Sequence, residues 1–382
     1  MNPIDGQYIN YARFSRAVGL DDLSIVPGDS TVNPMEVDTS VQFESGNGPN
    51  LRLGIPMLSS PMDGVTDVRF ATEFNRLGGL GVMNLLGLQT RYESPGEVIE
   101  SIIRCPDHEM HSLLRKVYAQ PVKESLISQR IGELKSNGVR AGVSVTPEKA
   151  FRFASIAEEA GADLIVIQTS VFPSDHCSSQ YESFDLKKFC ESFPVPVIAG
   201  NVAGTDASRK ILECGVSGIL AGVGCGVSSP EYRKLGISVP LPTSILNVCR
   251  ARDEFEFQTG RHVVVIADGG LRNSGDVCKA LACGADAVML GTLLAHATES
   301  AGKGCHWGLA GAFSDLPRGS RVVTGLKGSL KSVLYGPATS DDGLQDIVGA
   351  ITACMGHTGS RNLRDLHKAR LIFRQPNAGL GG

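Results

Sequence analysis

Eight short, mostly apolar segments punctuate the chain, with room for a helix between most neighbours. They are Ile55–Ser59, Leu80–Asn84, Arg140–Ser144, Asp163–Gln168, Val195–Gly200, Ser217–Gly222, His262–Asp268 and Asp286–Gly291. They are apolar on both faces and tend to end in Gly, Ser, Asn or Asp. A strand apolar on both faces must be covered on both, as in a parallel sheet flanked by helices. Helical periodicity fills Thr66–Leu77, Pro147–Ala160, Ala207–Cys214 and Gly275–Cys283. Pro147 suits a first helical turn, and Gly161, Gly215 and Gly284 suit helix stops. The phrases GADLIVIQ, GVSGILAG and GADAVMLG each run from a helix-ending glycine into a buried strand, like one unit repeated around a closed ring. The expected fold is an α/β (β/α)8 TIM barrel with a long flap after strand eight. A doubly wound open sheet is the alternative.

The 382 residues are 42% apolar, enough for one large core. No Pro/Ser-rich tract marks a linker, so residues 1–382 are expected to form a single domain. An N-terminal extension covers 1–54, an insertion covers Gly87–Gln129, and His296–Leu344, long and rich in Gly and Pro, reads as the flap. A formal charge of −4 argues against a nucleic-acid partner gripped by phosphate neutralisation. No run of about 18 apolar residues exists, so neither a spanning helix nor a membrane partner is expected. The opening MNPIDGQYIN has no basic stretch followed by an apolar one, so no signal peptide is expected. The ten cysteines form no CxxC pair and no zinc-type spacing with His. They read as reduced core residues in a cytoplasmic protein, with no metal site.

The chemistry concentrates at the ends of the last strands. Strand seven ends Asp268-Gly269-Gly270, and strand eight ends Leu290-Gly291-Thr292. In barrels, phosphate binds to main-chain N–H groups in these two loops. Asp268, at a strand tip, can accept hydrogen bonds from a ribose diol. A Gly-rich loop, Gly222-Val223-Gly224-Cys225-Gly226-Val227-Ser228-Ser229, follows strand six and reads as a nucleophile or phosphate loop, or as a flexible turn. His306 in the flap is a candidate acid/base group or a structural histidine. Glu231 is a candidate base for Ser229. His176 and Cys177 could line the cofactor side. Arg13, Arg52 and Arg91 read as surface charges or as cofactor-phosphate ligands. Asp341-Asp342 resembles a helix N-cap.

Five phrases together resemble the IMP dehydrogenase/GMP reductase superfamily, most nearly a bacterial paralogue branch without CBS domains. They are Ser59-Ser60-Pro61-Met62-Asp63-Gly64-Val65-Thr66, Ala199-Gly200-Asn201-Val202, the Gly-rich loop, Ala267-Asp268-Gly269-Gly270, and Gly284 to Thr292. The resemblance spans nearly the whole chain. It implies a purine-nucleotide oxidoreductase, a purine 5′-monophosphate substrate and a homotetramer. NAD or NADP, and a monovalent cation such as potassium, are the implied cofactors. Ser60, Met62 and Asn201 would attend the nucleotide, and Asp268 the ribose. Gly226, Gly269, Gly270, Gly291 and Thr292 would hold the phosphate, with Ser228 standing in for the family's serine at Val227. Gly328 would meet the base from the flap. Gln168, Thr169, Gly222 and Gly224 would face the cofactor.

The chain departs from the pattern at its centre. The family's loop cysteine, which attacks the purine, aligns with Ser229. Gln168 stands where the dehydrogenases place an aspartate, and the flap lacks their water-activating Arg-Tyr pair. Cys225, four residues before Ser229, is either the nucleophile of a refolded loop or a passive thiol. Open alternatives are a different reaction on a purine-like nucleotide, a nucleotide-binding protein that has lost catalysis, and an FMN-dependent barrel oxidoreductase.

Overall fold

A computed structural model of the protein describes residues 17–173, 183–227, 231–308 and 321–374. Its centre is a parallel eight-stranded sheet. The strands are β1 (Met57–Ser59), β2 (Val82–Asn84), β3 (Gly142–Val145), β4 (Leu164–Gln168), β5 (Val197–Val202), β6 (Gly218–Ala221), β7 (Val264–Asp268) and β8 (Ala287–Leu290). Neighbours pair in chain order from β2 to β8, and β8 pairs with β1. A bridge between Leu58 and Leu80 brings β1 against the segment leading into β2. The sheet is thus a (β/α)8 barrel rather than an open sheet. Each expected strand is present; most are shorter than expected, whereas β3 and β5 run on past Ser144 and Gly200 to Val145 and Val202.

The helices between them are α1 (Val68–Arg76), α2 (Glu124–Ser136), α3 (Ala150–Glu159), α4 (Leu186–Ser192), α5 (Thr205–Leu212), α6 (Leu241–Thr259), α7 (Ser274–Ala282) and α8 (Ile347–Thr358). Their ends follow local chemistry. Asp67 caps α1 by accepting from the Phe70 N–H at 2.7 Å, and Asn273 caps α7 by accepting from the Asp276 N–H at 2.9 Å. Pro147 opens a single 3₁₀ turn that leads into α3. Gly161, Gly215 and Gly284 stop α3, α5 and α7 at φ of +94°, +94° and +112°, backbone that side chains rarely adopt.

Period-two alternation decides what the barrel encloses. Leu164 and Val166 of β4, Val264 and Ile266 of β7, and Ala287 and Met289 of β8 form one buried cluster. Their neighbours Ile165, Ile167 and Val265 belong to the cluster under the helices. A hairpin of Val41–Phe43 and Leu51–Leu53 plugs the floor, with Phe43 fully buried in the inner cluster. Part of the N-terminal extension is therefore core. Leu23–Ile25 also pairs antiparallel with Leu371–Phe373.

The insertion after β2 carries helices Pro95–Arg104 and Met110–Tyr118, which form a small second core with Trp307 of the flap. In the flap, Cys305–His306 pairs antiparallel with Val322–Val323. The expected cap at Asp341-Asp342 is corrected. The N-cap position of α8 is Asp346, while Asp342 pairs with Lys327 at 2.7 Å and accepts from the Leu344 N–H. Among the described residues no helix is long and apolar enough to cross a membrane. The same alternation that aims Leu164 and Val166 inward aims Gln168 into the mouth, and likewise Asp268 at the tip of β7.

Candidate active site

The loops at the carboxyl ends of the strands enclose a cavity of about 220 Å³. It brings together Ser60, Met62, Gln168, Thr169, Asn201, Gly222, Gly224, Cys225, Gly226, Asp268, Gly269, Gly270, Gly291 and Thr292. Ser228, Ser229, His176, Cys177, Arg13 and the Glu231 side chain lie outside the described residues. Gly328 is not among the lining residues. Its carbonyl accepts from the Thr298 N–H at 2.9 Å, and its bridge to Ala297 holds it at the root of the flap.

Close approach of two loops builds one wall. Gly269 and Gly270 have φ of +92° and +76°. A Cβ on Gly270 would stand 2.9 Å from the Cys225 carbonyl oxygen, and one on Gly269 would stand 3.1 Å from the Gly226 nitrogen. Side chains there would push the loops after β6 and β7 apart. Across the cavity, the Thr66 hydroxyl donates to the Ser60 carbonyl at 3.0 Å and meets the Ser59 hydroxyl at 2.8 Å, fixing the turn that carries Ser60 and Met62. Among the described residues, the N–H groups of Gly269, Gly270, Gly291 and Thr292 have no backbone acceptor. Unpaired main-chain donors converging on one space suit an anion.

Beside them stands a buried polar cluster. Asp268 Oδ2 accepts from Gln168 Nε2 at 2.9 Å and from Asn201 Nδ2 at 2.7 Å. Asn201 reaches it through a register shift between Gly200 and Val202 in the β5–β6 ladder, the kind of irregularity that re-aims a side chain. Burial pushes the Asp268 carboxyl up to about 6, and the two amide donors only partly oppose this. Gln168 Oε1 and Thr169 Oγ1 are buried without a hydrogen-bond partner among the described residues. Both residues line the cavity, so a ligand bearing N–H or O–H groups would satisfy them.

The surroundings of the other candidates bear on their alternatives. The Cys225 thiol donates to the Val239 carbonyl at 2.9 Å, and burial pushes it up to about 11. A protonated thiol engaged by a carbonyl is a poor nucleophile, and this geometry supports the passive alternative. His306 is 1% exposed, and burial together with nearby His296 lowers it to about 4. Its Nε2 meets Thr292 Oγ1 at 3.1 Å, so it stands behind the wall as a neutral ring. Arg91 donates to the carbonyls of Leu86 and Gln120 and packs over Tyr118, which makes it a brace for the insertion rather than a phosphate ligand. Arg52 is an exposed partner of Asp38.

Several lining residues were not anticipated: Ser170, Leu271, Arg272, Met289 and Gly308. Met289 was accessible from strand alternation. Arg272 directly follows Leu271 after the Gly-Gly turn, and ion pairs with Asp21 and Asp276 hold it. A further network ties the flap to the insertion. Trp307 Nε1 donates to the Tyr118 hydroxyl at 2.7 Å, and that hydroxyl donates to Asp63 Oδ2 at 2.5 Å. Trp307 and Tyr118 are 189 positions apart and Tyr118 and Asp63 are 55 apart, and no local pattern links them.

A parallel barrel whose carboxyl-end loops enclose a cavity lined by glycine turns and a buried carboxyl defines a (β/α)8 protein with its candidate site at the strand ends. Residues 17–311 match the IMP dehydrogenase / GMP reductase domain family, and the chain belongs to it. It is similar to an uncharacterized oxidoreductase of Mycolicibacterium smegmatis, 35% identical over 366 residues, covering 93% of this chain and 96% of the relative. It is also similar to the inosine-5′-monophosphate dehydrogenase of Aquifex aeolicus, at 26% identity, covering 96% and 94% of the two chains. Among solved structures, an IMP dehydrogenase/GMP reductase-like protein from Corynebacterium glutamicum superposes with a TM-score of 0.87. The two are 34% identical, and the match covers 94% of this chain and 95% of that one. The protein is thus an oxidoreductase of the IMP dehydrogenase/GMP reductase type.

Proposed function

We propose that the protein acts on a purine 5′-monophosphate and exchanges a hydride between the purine and NAD or NADP. The observation that carries this reading is one cavity holding both the unpaired N–H groups of Gly269, Gly270, Gly291 and Thr292 and the poised Asp268 carboxyl. The amides and Thr292 take the phosphate. Asp268 accepts from the ribose hydroxyls, which supply the donors its burial lacks. Ser60 and Met62 border the base.

A nicotinamide cofactor fits the remaining wall. The orphaned Gln168 Oε1 and Thr169 Oγ1 can bond a carboxamide, with Gly222 and Gly224 alongside. When bound, the cofactor supplies or accepts the hydride. The protein's part is to orient the base, and in the oxidative direction a water oxygen must replace the departing hydride on the purine carbon, with release of a proton. With Cys225 engaged and serine at position 229, the chemistry we propose does not run through an enzyme thioether. That same pair of observations favours one other reading, a nucleotide-binding protein without turnover.

Calorimetry with IMP, XMP, GMP and AMP tests the ligand class, and binding of at least one is expected. Absence of heat with all four contradicts the proposal. Oxidation of IMP with NAD, or of NADPH with GMP or XMP, then separates the enzyme from the silent binder. The Ser229→Cys variant sharpens the result, because a site that lost only its thiol should gain turnover.

A further inference from the structure

His306 has a built environment that no acid/base role explains. It lies on the flap strand Cys305–His306, held on two sides. A Cβ on Gly64 would stand 2.8 Å from the His306 Cα, so the loop after β1 is pressed against it. The next residue, Trp307, is fixed by its bond to Tyr118. The ring has two nitrogens with unequal fates. Nε2 meets Thr292 Oγ1 at 3.1 Å, whereas Nδ1 is buried with no partner among the described residues.

Burial and His296 keep the ring neutral, with its titration lowered to about 4. A neutral imidazole carries one N–H. With the proton on Nδ1, a buried donor would be orphaned, and Thr292 would spend its own proton on Nε2. With the proton on Nε2, the ring donates to Thr292 Oγ1 and only a lone pair goes unmatched. Orphaned buried donors are rarer than under-satisfied acceptors, so the second arrangement is favoured. It also leaves the threonine proton free. Thr292 lines the cavity beside the N–H groups of Gly269, Gly270 and Gly291.

We propose that His306 is a positioning residue that donates from Nε2 to Thr292 Oγ1 and so commits the threonine hydroxyl to donate into the cavity, toward an anion. The nature of that anion, a nucleotide phosphate, rests on the function proposed above. The direction of the His306–Thr292 bond does not.

Two measurements test it. Selective ¹⁵N-histidine labelling and two-bond ¹H–¹⁵N correlation read the tautomer in the free protein, with His306→Gln identifying the signal. An Nε2–H pattern is expected, and an Nδ1–H pattern overturns the inference. The second is a double-mutant cycle with IMP and inosine as probes. His306→Leu should weaken IMP about tenfold, the scale of one charge-assisted hydrogen bond, and leave inosine unchanged. In a Thr292→Val background the same change should cost nothing more, because the histidine acts only through the hydroxyl. His306→Gln, which keeps a donor at the Nε2 position, should recover most of the affinity. An undiminished loss in the Thr292→Val background, or an equal loss for inosine, overturns the inference. If the parent protein binds no purine monophosphate, the nucleotide reading falls, and the tautomer spectrum alone still decides the bond's direction.

Discussion

Two buried aspartates, at opposite ends of the barrel, meet opposite environments. At the floor, just before β8, Asp286 accepts from Arg252 at 2.7 Å and from the Val265 N–H at 2.8 Å, and faces His262 at 3.3 Å. Burial alone would raise it, but the His262 hydrogen bond and the Arg252 charge bring it to about 2. At the mouth, Asp268 has two neutral amides and, among the described residues, no cation bonded to it, and it rises to about 6. The floor charge is compensated within the chain and serves stability. The mouth charge is left short of donors, so it gains from a ligand that brings hydroxyls. A carboxylate's partners, more than its burial, decide which of the two it becomes.

The largest expected effect is at the floor. Asp286→Ala removes the buried partner of Arg252 and His262, which keep only the more exposed Asp253 and Glu256, and should cost about 3–5 kcal/mol in urea unfolding, the range for a broken buried pair. Because its folded value lies below the ordinary 3.8, the Asp286 contribution is full above that pH and is lost as pH falls through about 2. Phe43→Ala, which opens the floor plug, should cost a similar ~3–5 kcal/mol.

The mouth should respond with the opposite sign. Asp268 is easier to protonate folded than unfolded, so its contribution is best below pH 3.8 and declines as pH rises through about 6. Asp268→Asn should therefore stabilise the protein at pH 7.5, on the order of 1–2 kcal/mol, while purine-monophosphate affinity falls at least tenfold. A destabilised Asp268→Asn would break the comparison. The smallest expected effect is a refinement. Gln168→Glu sets a second carboxyl against Asp268 and should raise its titration further, by about one unit, read by carboxyl ¹³C shifts.

The sequence made the barrel legible because its strands are apolar on both faces and end at glycine-rich turns. It hid the floor plug, since two three-residue strands around a polar, glycine-bearing turn leave no periodic signal. It also hid α6, whose RARDEFEFQ stretch places charges among its apolar positions. Asp268 and the glycine turns were readable because a strand tip followed by Gly-Gly fixes both position and backbone. The engaged thiol of Cys225, the orphaned oxygen of Gln168 and the pairing of His306 with Thr292 were not readable. Each depends on where a neighbouring loop comes to rest, which local pattern does not encode.

The most direct test of the central claim is the titration of the Asp268 carboxyl, followed by ¹³C NMR with Asp268→Asn as the assignment control. A midpoint near 6 is expected in the free protein, with a clear fall when a purine 5′-monophosphate is added. A midpoint below about 4, or one that the nucleotide leaves unmoved, would contradict it.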